Sequence, residues 1–128
     1  MAKPSKQVLL VEDEADAAQI YTDLLEAENI TIDSVGDGTD ALKALEKTNY
    51  ELVLLDIIMP EMDGVETLRQ IKKNPNKYGT SKVIMLTNIG GDIAIDKAME
   101  LGADGYMLKS ETEPTEFVNV VKKYLDLE

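Results

Sequence analysis

At 128 residues, 44% of them hydrophobic, the chain is the size of one ordinary domain that buries a single core without staples. It has no cysteine and no histidine, which excludes disulfides, thiolate metal sites, the usual proton shuttle and the commonest zinc ligand, and leaves carboxylates, lysines and hydroxyls to carry any chemistry. The net charge of −12 argues against direct binding to nucleic acid or an anionic membrane; no apolar stretch approaches the roughly 20 residues of a membrane span, and the short apolar run behind Met1 does not make a signal peptide, so a soluble cytoplasmic protein is expected.

Along the chain, short apolar runs alternate with helical patterns, the signature of stacked βα units. A strand at 8–11 leads into Glu12-Asp13-Glu14 and a helix at 15–28; a strand at 30–35 leads into a helix at 39–47. The third strand, 52–55, is an apolar run ending on Asp56, and Pro60 and Gly64 force the loop beyond it before a helix at 65–73. A strand at 83–86 ends at Thr87 and is followed by a helix at 93–101; a strand at 105–108 runs into Lys109. The final helix, 114–127, repeats Phe117, Val120, Val121, Tyr124 and Leu125 at helical spacing, with Pro114 suited to its first turn.

Runs this short suit strands buried on both faces of a parallel sheet. Right-handed crossovers then give an α/β fold, a doubly wound five-stranded parallel sheet flanked by five helices, since a barrel needs about eight such units. A single domain over 1–128, with a core at about 7–127 and no output domain, is expected.

That topology collects Glu12, Asp13, Asp56, Thr87 and Lys109 on the carboxyl edge of the sheet, where open α/β sheets place their ligands. Three carboxylates crowded there repel one another by about 3 kcal/mol per pair at 5 Å and an effective dielectric near 20. Such a cluster calls for a cation, and oxygen ligands with few dedicated protein groups suit Mg²⁺, which keeps several waters and accepts phosphate oxygens. Aspartate is ordinarily ionised at neutral pH and forms aspartyl phosphates without a base, so the lack of histidine is no obstacle. Taken singly, each residue also has a plainer role: the acidic run favours the positive end of the first helix, Asp56 serves as a turn or cap, Thr87 as a β-branched strand end, Lys109 as a solvated cation and Tyr106 as a half-buried aromatic.

Together, the acidic pair, Asp56 with Met59-Pro60 and Asp63-Gly64, Thr87, and Gly102-Ala103-Asp104-Gly105-Tyr106 ahead of Lys109 resemble the receiver domain of two-component response regulators. The resemblance covers Val8 to about Leu127 and implies a flavodoxin-like (CheY-like) sheet of strand order 2-1-3-4-5. It implies Asp56 as phosphoacceptor and a Mg²⁺ site of Asp13, Glu12 (often through water), Asp56 and the backbone carbonyl of Ile58. Thr87 matches the switch hydroxyl, Lys109 the phosphate-binding lysine, and Tyr106 the aromatic that turns inward on activation. The implied protein is a signalling switch and no enzyme beyond its own phosphoryl transfer and dephosphorylation. It takes its phosphoryl group from a sensor histidine kinase or histidine phosphotransfer protein and signals to an effector protein through the fourth predicted helix, fifth strand and last helix. A homodimer of phosphorylated chains stays among the partner states this reading admits.

Two residues depart from the family pattern. Ser110 stands where a proline in a cis peptide usually follows the lysine; a cis bond without proline costs roughly 3 kcal/mol, so either the loop bears that strain or Lys109 points differently. Asn88 is larger than the very small residue usual after the switch threonine and narrows access to Asp56. Ile58 and Ile89 flank the site, and two apolar side chains there are expected to lengthen the phosphorylated lifetime. The competing class is a receiver-like docking module that takes no phosphate. Other classes fit less well. A haloacid dehalogenase-like phosphatase would need an acidic residue where Ile58 stands. A flavodoxin-like electron carrier would need a phosphate loop where Glu12-Asp13-Glu14 repels one, and an EF-hand at Asp37-Gly38-Thr39-Asp40 lacks its ligands. Gly64, Gly90, Gly91 and Gly102 are read as backbone requirements rather than a phosphate cradle.

Overall fold

The structure is a computed structural model that describes residues 5–58, 62–88 and 92–127. Strands and helices alternate except between β3 and β4, where two helices follow one another: β1 (Ser5–Val11), α1 (Ala15–Glu26), β2 (Ile32–Val35), α2 (Gly38–Lys47), β3 (Asn49–Asp56), α3 (Gly64–Lys73), α4 (Pro75–Tyr78), β4 (Lys82–Thr87), α5 (Asp92–Glu100), β5 (Gly105–Leu108) and α6 (Pro114–Tyr124). All neighbouring strands pair in parallel, and their order is β2-β1-β3-β4-β5. Sheet type and order are those expected, but the described residues form six helices where five were predicted. The additional one, α4, is a single turn opened by Pro75, whose missing amide hydrogen is no loss at a first helical position.

The period of two along each strand divides the core into two layers. Leu9, Val11, Val53, Leu55, Val83 and Met85 pack with Leu45, Leu68, Ile71 and Ile95 on the face covered by α2, α3 and α5. Val8, Leu10, Leu52, Leu54, Ile84 and Leu86 pack with Leu25, Phe117 and Val121 on the face covered by α1 and α6. Both faces are therefore dry, which explains continuous apolar strands in place of an alternating pattern.

Side-chain caps set where α2 and α3 begin. Asp37 accepts a hydrogen bond from the Asp40 amide at 2.8 Å and starts α2, which is what the Asp37-Gly38-Thr39-Asp40 segment does. Asp63 accepts one from the Glu66 amide at 2.9 Å and starts α3. Gly64 is required by close approach: a Cβ there would collide with the Asp56 carbonyl oxygen and lie 2.8 Å from the Ile57 Cα. Gly102 has φ 103°, a conformation that disfavours any side chain. Met59, Pro60, Glu61, Ile89, Gly90 and Gly91 lie outside the described residues.

Candidate functional site

Each strand hands its last hydrogen bond to the residue that follows it, and this places the site. Glu12 N–H donates to the Val35 carbonyl at 3.0 Å, Ile57 N–H to the Leu86 carbonyl at 3.0 Å, and Lys109 N–H to the Thr87 carbonyl at 2.7 Å. Glu12, Asp56 and Lys109, separated by up to 97 positions in sequence, are thereby fixed to one edge of the sheet.

At that edge Lys109 Nζ donates to Glu12 Oε1 and, at 3.0 Å, to Asp56 Oδ2. Glu12 and Asp56 are buried and Asp13 is exposed, yet all three offer oxygens lying within 4.8 Å of one another. Glu12 Oε2 also accepts from the Glu14 amide at 3.3 Å, and Asp56 Oδ1 from the Ile58 amide at 3.4 Å. One ammonium, paired with two of the three carboxylates, leaves two negative charges uncompensated within the group. That balance, with oxygen donors only and one open, exposed ligand, fits a hard divalent cation that retains water.

The electrostatics follow from this crowding. Burial, and next the Asp56 carboxylate, push Glu12 above its usual value against the pull of Lys109. For Lys109, burial acts downward, but hydrogen bonds to Glu12 and Asp56 and their charges overcome it and hold the ammonium above the usual lysine range. Lys109 is accordingly a fixed positive charge at the mouth of the site rather than a solvated surface residue.

The other expected site residues lie nearby in different arrangements. Thr87 is buried at the end of β4, and its hydroxyl donates to the carbonyl of Asn88 at 3.0 Å instead of joining the carboxylate cluster. Tyr106 sits on the edge strand β5 and is 50% exposed. Asn88 is exposed, and the Ile58 side chain is 74% exposed. The Lys109–Ser110 peptide is trans, as there is no cis bond among the described residues. Sequence spacing did not single out Tyr21 or Thr112. The Tyr21 ring packs against Phe117 at 4.6 Å between centroids, and the two line a cavity of about 180 Å³ together with Lys109, Thr112 and Pro114. Tyr21 was legible only as one apolar position of α1. Thr112 carried no periodic signal.

A family profile described as the response regulator receiver domain matches residues 8–122. The chain belongs to this family. Receiver domains are phosphorylation-dependent signalling switches of two-component systems, and those of response regulators receive phosphoryl groups from histidine kinases. Among curated relatives, the receiver is 34% identical over 111 residues to the chemotaxis protein CheY of Halobacterium salinarum, covering 87% of this chain and 90% of that protein. It is 39% identical over 103 residues to a transcriptional regulatory protein, a CpxR homolog of Haemophilus influenzae, covering 80% of this chain but 43% of that protein. It likewise spans half the length of the regulatory protein VanRc of Enterococcus gallinarum. Among solved structures, a putative response regulator from Chloroflexus aurantiacus superposes with a TM-score of 0.85 at 27% identity, covering 97% of this chain and 99% of that one. The signal receiver domain of a histidine kinase from Syntrophus aciditrophicus superposes at 0.84 with 30% identity, covering 94% and 90%. Among the described residues, no helix is long and apolar enough to cross a membrane.

Proposed function

We propose that this receiver accepts a phosphoryl group on Asp56 from a phosphohistidine of a sensor histidine kinase or histidine phosphotransfer protein in the cytoplasm. The observation that carries the proposal is the Lys109 ammonium held between Asp56 and Glu12, with Asp13 completing a three-carboxylate cluster. An Asp56 carboxylate oxygen attacks phosphorus; the P–N bond to the imidazole breaks, and the departing nitrogen keeps the electron pair and takes a proton from water. Phosphoryl transfer of this kind depends mainly on placing charge around the three equatorial oxygens. Lys109 supplies one such charge by exchanging part of its contact with Asp56 for a phosphoryl oxygen. Thr87 supplies a directional hydrogen bond once its hydroxyl leaves the Asn88 carbonyl. Glu12, Asp13, Asp56 and the Ile58 carbonyl would hold Mg²⁺, which neutralises charge on the phosphoryl oxygens when bound.

The same rotation of Thr87 vacates space beside β4, and Tyr106 on the adjoining strand is the side chain free to respond. Phosphorylation then biases the surface of α5, β5 and α6 toward an effector protein, provided the effector binds the two states unequally. A second phosphorylated copy of the chain would compete for that surface.

Intact mass after incubation with acetyl phosphate tests the reading. A gain of one phosphoryl group is expected in the native chain with Mg²⁺, and none in Asp56→Asn or with a chelator. No gain in any arm, including Asn88→Ala to widen access, would overturn it in favour of docking alone.

A further inference from the structure

Lys109 reaches the carboxylates on a four-carbon stem, and what aims that stem is the peptide group joining it to β5. The Leu108–Lys109 peptide is gripped at both ends. Its N–H donates to the Thr87 carbonyl at 2.7 Å, while its carbonyl, on Leu108, accepts the Glu111 amide at 3.1 Å and the Thr112 hydroxyl at 2.7 Å.

We propose that Thr112 is a positioning residue for Lys109: its hydroxyl fixes the Leu108–Lys109 peptide and so directs the ammonium onto Asp56 and Glu12. The catalytic consequence rests on the reading of Asp56 as phosphoacceptor; the positioning itself does not. A reverse turn closed by one backbone hydrogen bond of 3.1 Å at the surface is a weak restraint, and Ser110 within it adds none of the rigidity of a proline. The hydroxyl provides a shorter second bond to the same carbonyl. It is partly shielded, because Thr112 is half-buried and lines the cavity shared with Lys109, Tyr21 and Phe117. Fixing the peptide matters because ordering a lysine costs more side-chain entropy than ordering almost any other residue, and a small angular error at the backbone is multiplied at Nζ. In a reaction governed by placement, a displacement of about 1 Å is enough to lose much of the rate.

If Thr112 merely hooks the turn before α6, its contribution to stability is independent of what Lys109 does at the other end of its stem. If it positions Lys109, the two are coupled, and a double-mutant cycle measures that. The test is thermal unfolding of the metal-free full chain for Thr112→Val, Lys109→Met and the double variant, with Thr112→Ser as the control that keeps the hydroxyl. The expected result is a fall in Tm of about 4 °C for Thr112→Val in the native background, less than half of that beside Lys109→Met, and none for Thr112→Ser. Phosphoryl incorporation from acetyl phosphate with Mg²⁺ is expected to slow about tenfold in Thr112→Val and to recover in Thr112→Ser. Equal Tm losses in both backgrounds, or a Thr112→Ser variant that behaves like Thr112→Val, would overturn the proposal. Because the melting cycle needs no phosphoryl transfer, it judges Thr112 even if the native chain takes no phosphoryl group, an outcome that counts against the Asp56 reading instead.

Discussion

Glu12 is buried beside Asp56 with Lys109 as their shared counter-ion, and burial together with the Asp56 carboxylate holds it above the ordinary carboxylate value. Between the ordinary value of 4.5 and its raised folded value, the folded state holds more protons on Glu12 than the unfolded state does, so stability falls as pH rises through that window. Glu12→Gln keeps an acceptor for Lys109 and removes the charge. The variant is expected to be about 1 kcal/mol more stable than the native chain at neutral pH without metal, with the difference vanishing below pH 4.5, as read by urea melts across pH. Ile58 offers a second prediction at this scale. Its exposed apolar side chain follows Asp56 by two positions and has no group that could orient water. Ile58→Asn is expected to lose its phosphoryl group faster, on the order of tenfold, as a side-chain amide positions the attacking water; the phosphorylated fraction followed by intact mass over time decides it. At this scale the convergence of Glu12, Asp13, Asp56 and Lys109 was legible in the sequence, because strand order alone brings strand ends together. The turn of the Thr87 hydroxyl toward Asn88 was not: it is a single side-chain torsion, set by the carbonyl within reach.

Element boundaries show the same division between pattern and local chemistry. β3 was expected from Leu52 and begins at Asn49, and β1 was expected from Val8 and begins at Ser5. The added positions, which pair Ser5 with Asn49 and Lys6 with Tyr50, are polar apart from the buried Tyr50, so the continuous apolar run stops before the hydrogen-bonded ladder does. β2 begins two residues later than expected because Asn29, at φ 61°, is still turning the chain out of α1. The short α4 announces itself only as Asn74-Pro75, a start signal with no apolar period behind it. The junction of β3 with α3 is where an element boundary and the site coincide. Gly64 N–H donates to the Ile57 carbonyl at 2.8 Å, and the helix start lies against the backbone of Asp56. Backbone cannot yield as a flexible side chain can, so Gly64→Ala is expected to destabilise the fold by about 2 kcal/mol and to slow phosphorylation of the molecules that remain folded. Gly36→Ala, at a glycine with nothing within 4 Å of its added carbon, is the control and should change neither.

Over the whole molecule, 25 acidic against 13 basic residues leave a charge of −12, so self-repulsion spread over the surface opposes folding and any salt relieves it. Two effects of MgCl₂ must therefore be separated: screening, which depends on ionic strength, and occupancy of the Glu12, Asp13 and Asp56 cluster, which depends on the free ion. Occupancy stabilises by RT ln(1 + [Mg²⁺]/Kd), which is about 1.4 kcal/mol at ten times Kd, whereas screening acts alike on every receiver variant of similar charge. Melting in MgCl₂ should exceed melting in NaCl of matched ionic strength by about 5 °C for the native chain. The excess should disappear in Asp13→Asn, which changes the net charge by one in twelve and takes away the exposed ligand. Lys109 sets the sign of a further comparison. Its ammonium already neutralises part of the cluster, so in Lys109→Met the carboxylates are less compensated and the Mg²⁺-specific excess should grow. A Mg²⁺ increment that matches NaCl in all three proteins would show that the cluster binds no ion and that the acidic edge acts only through the overall charge.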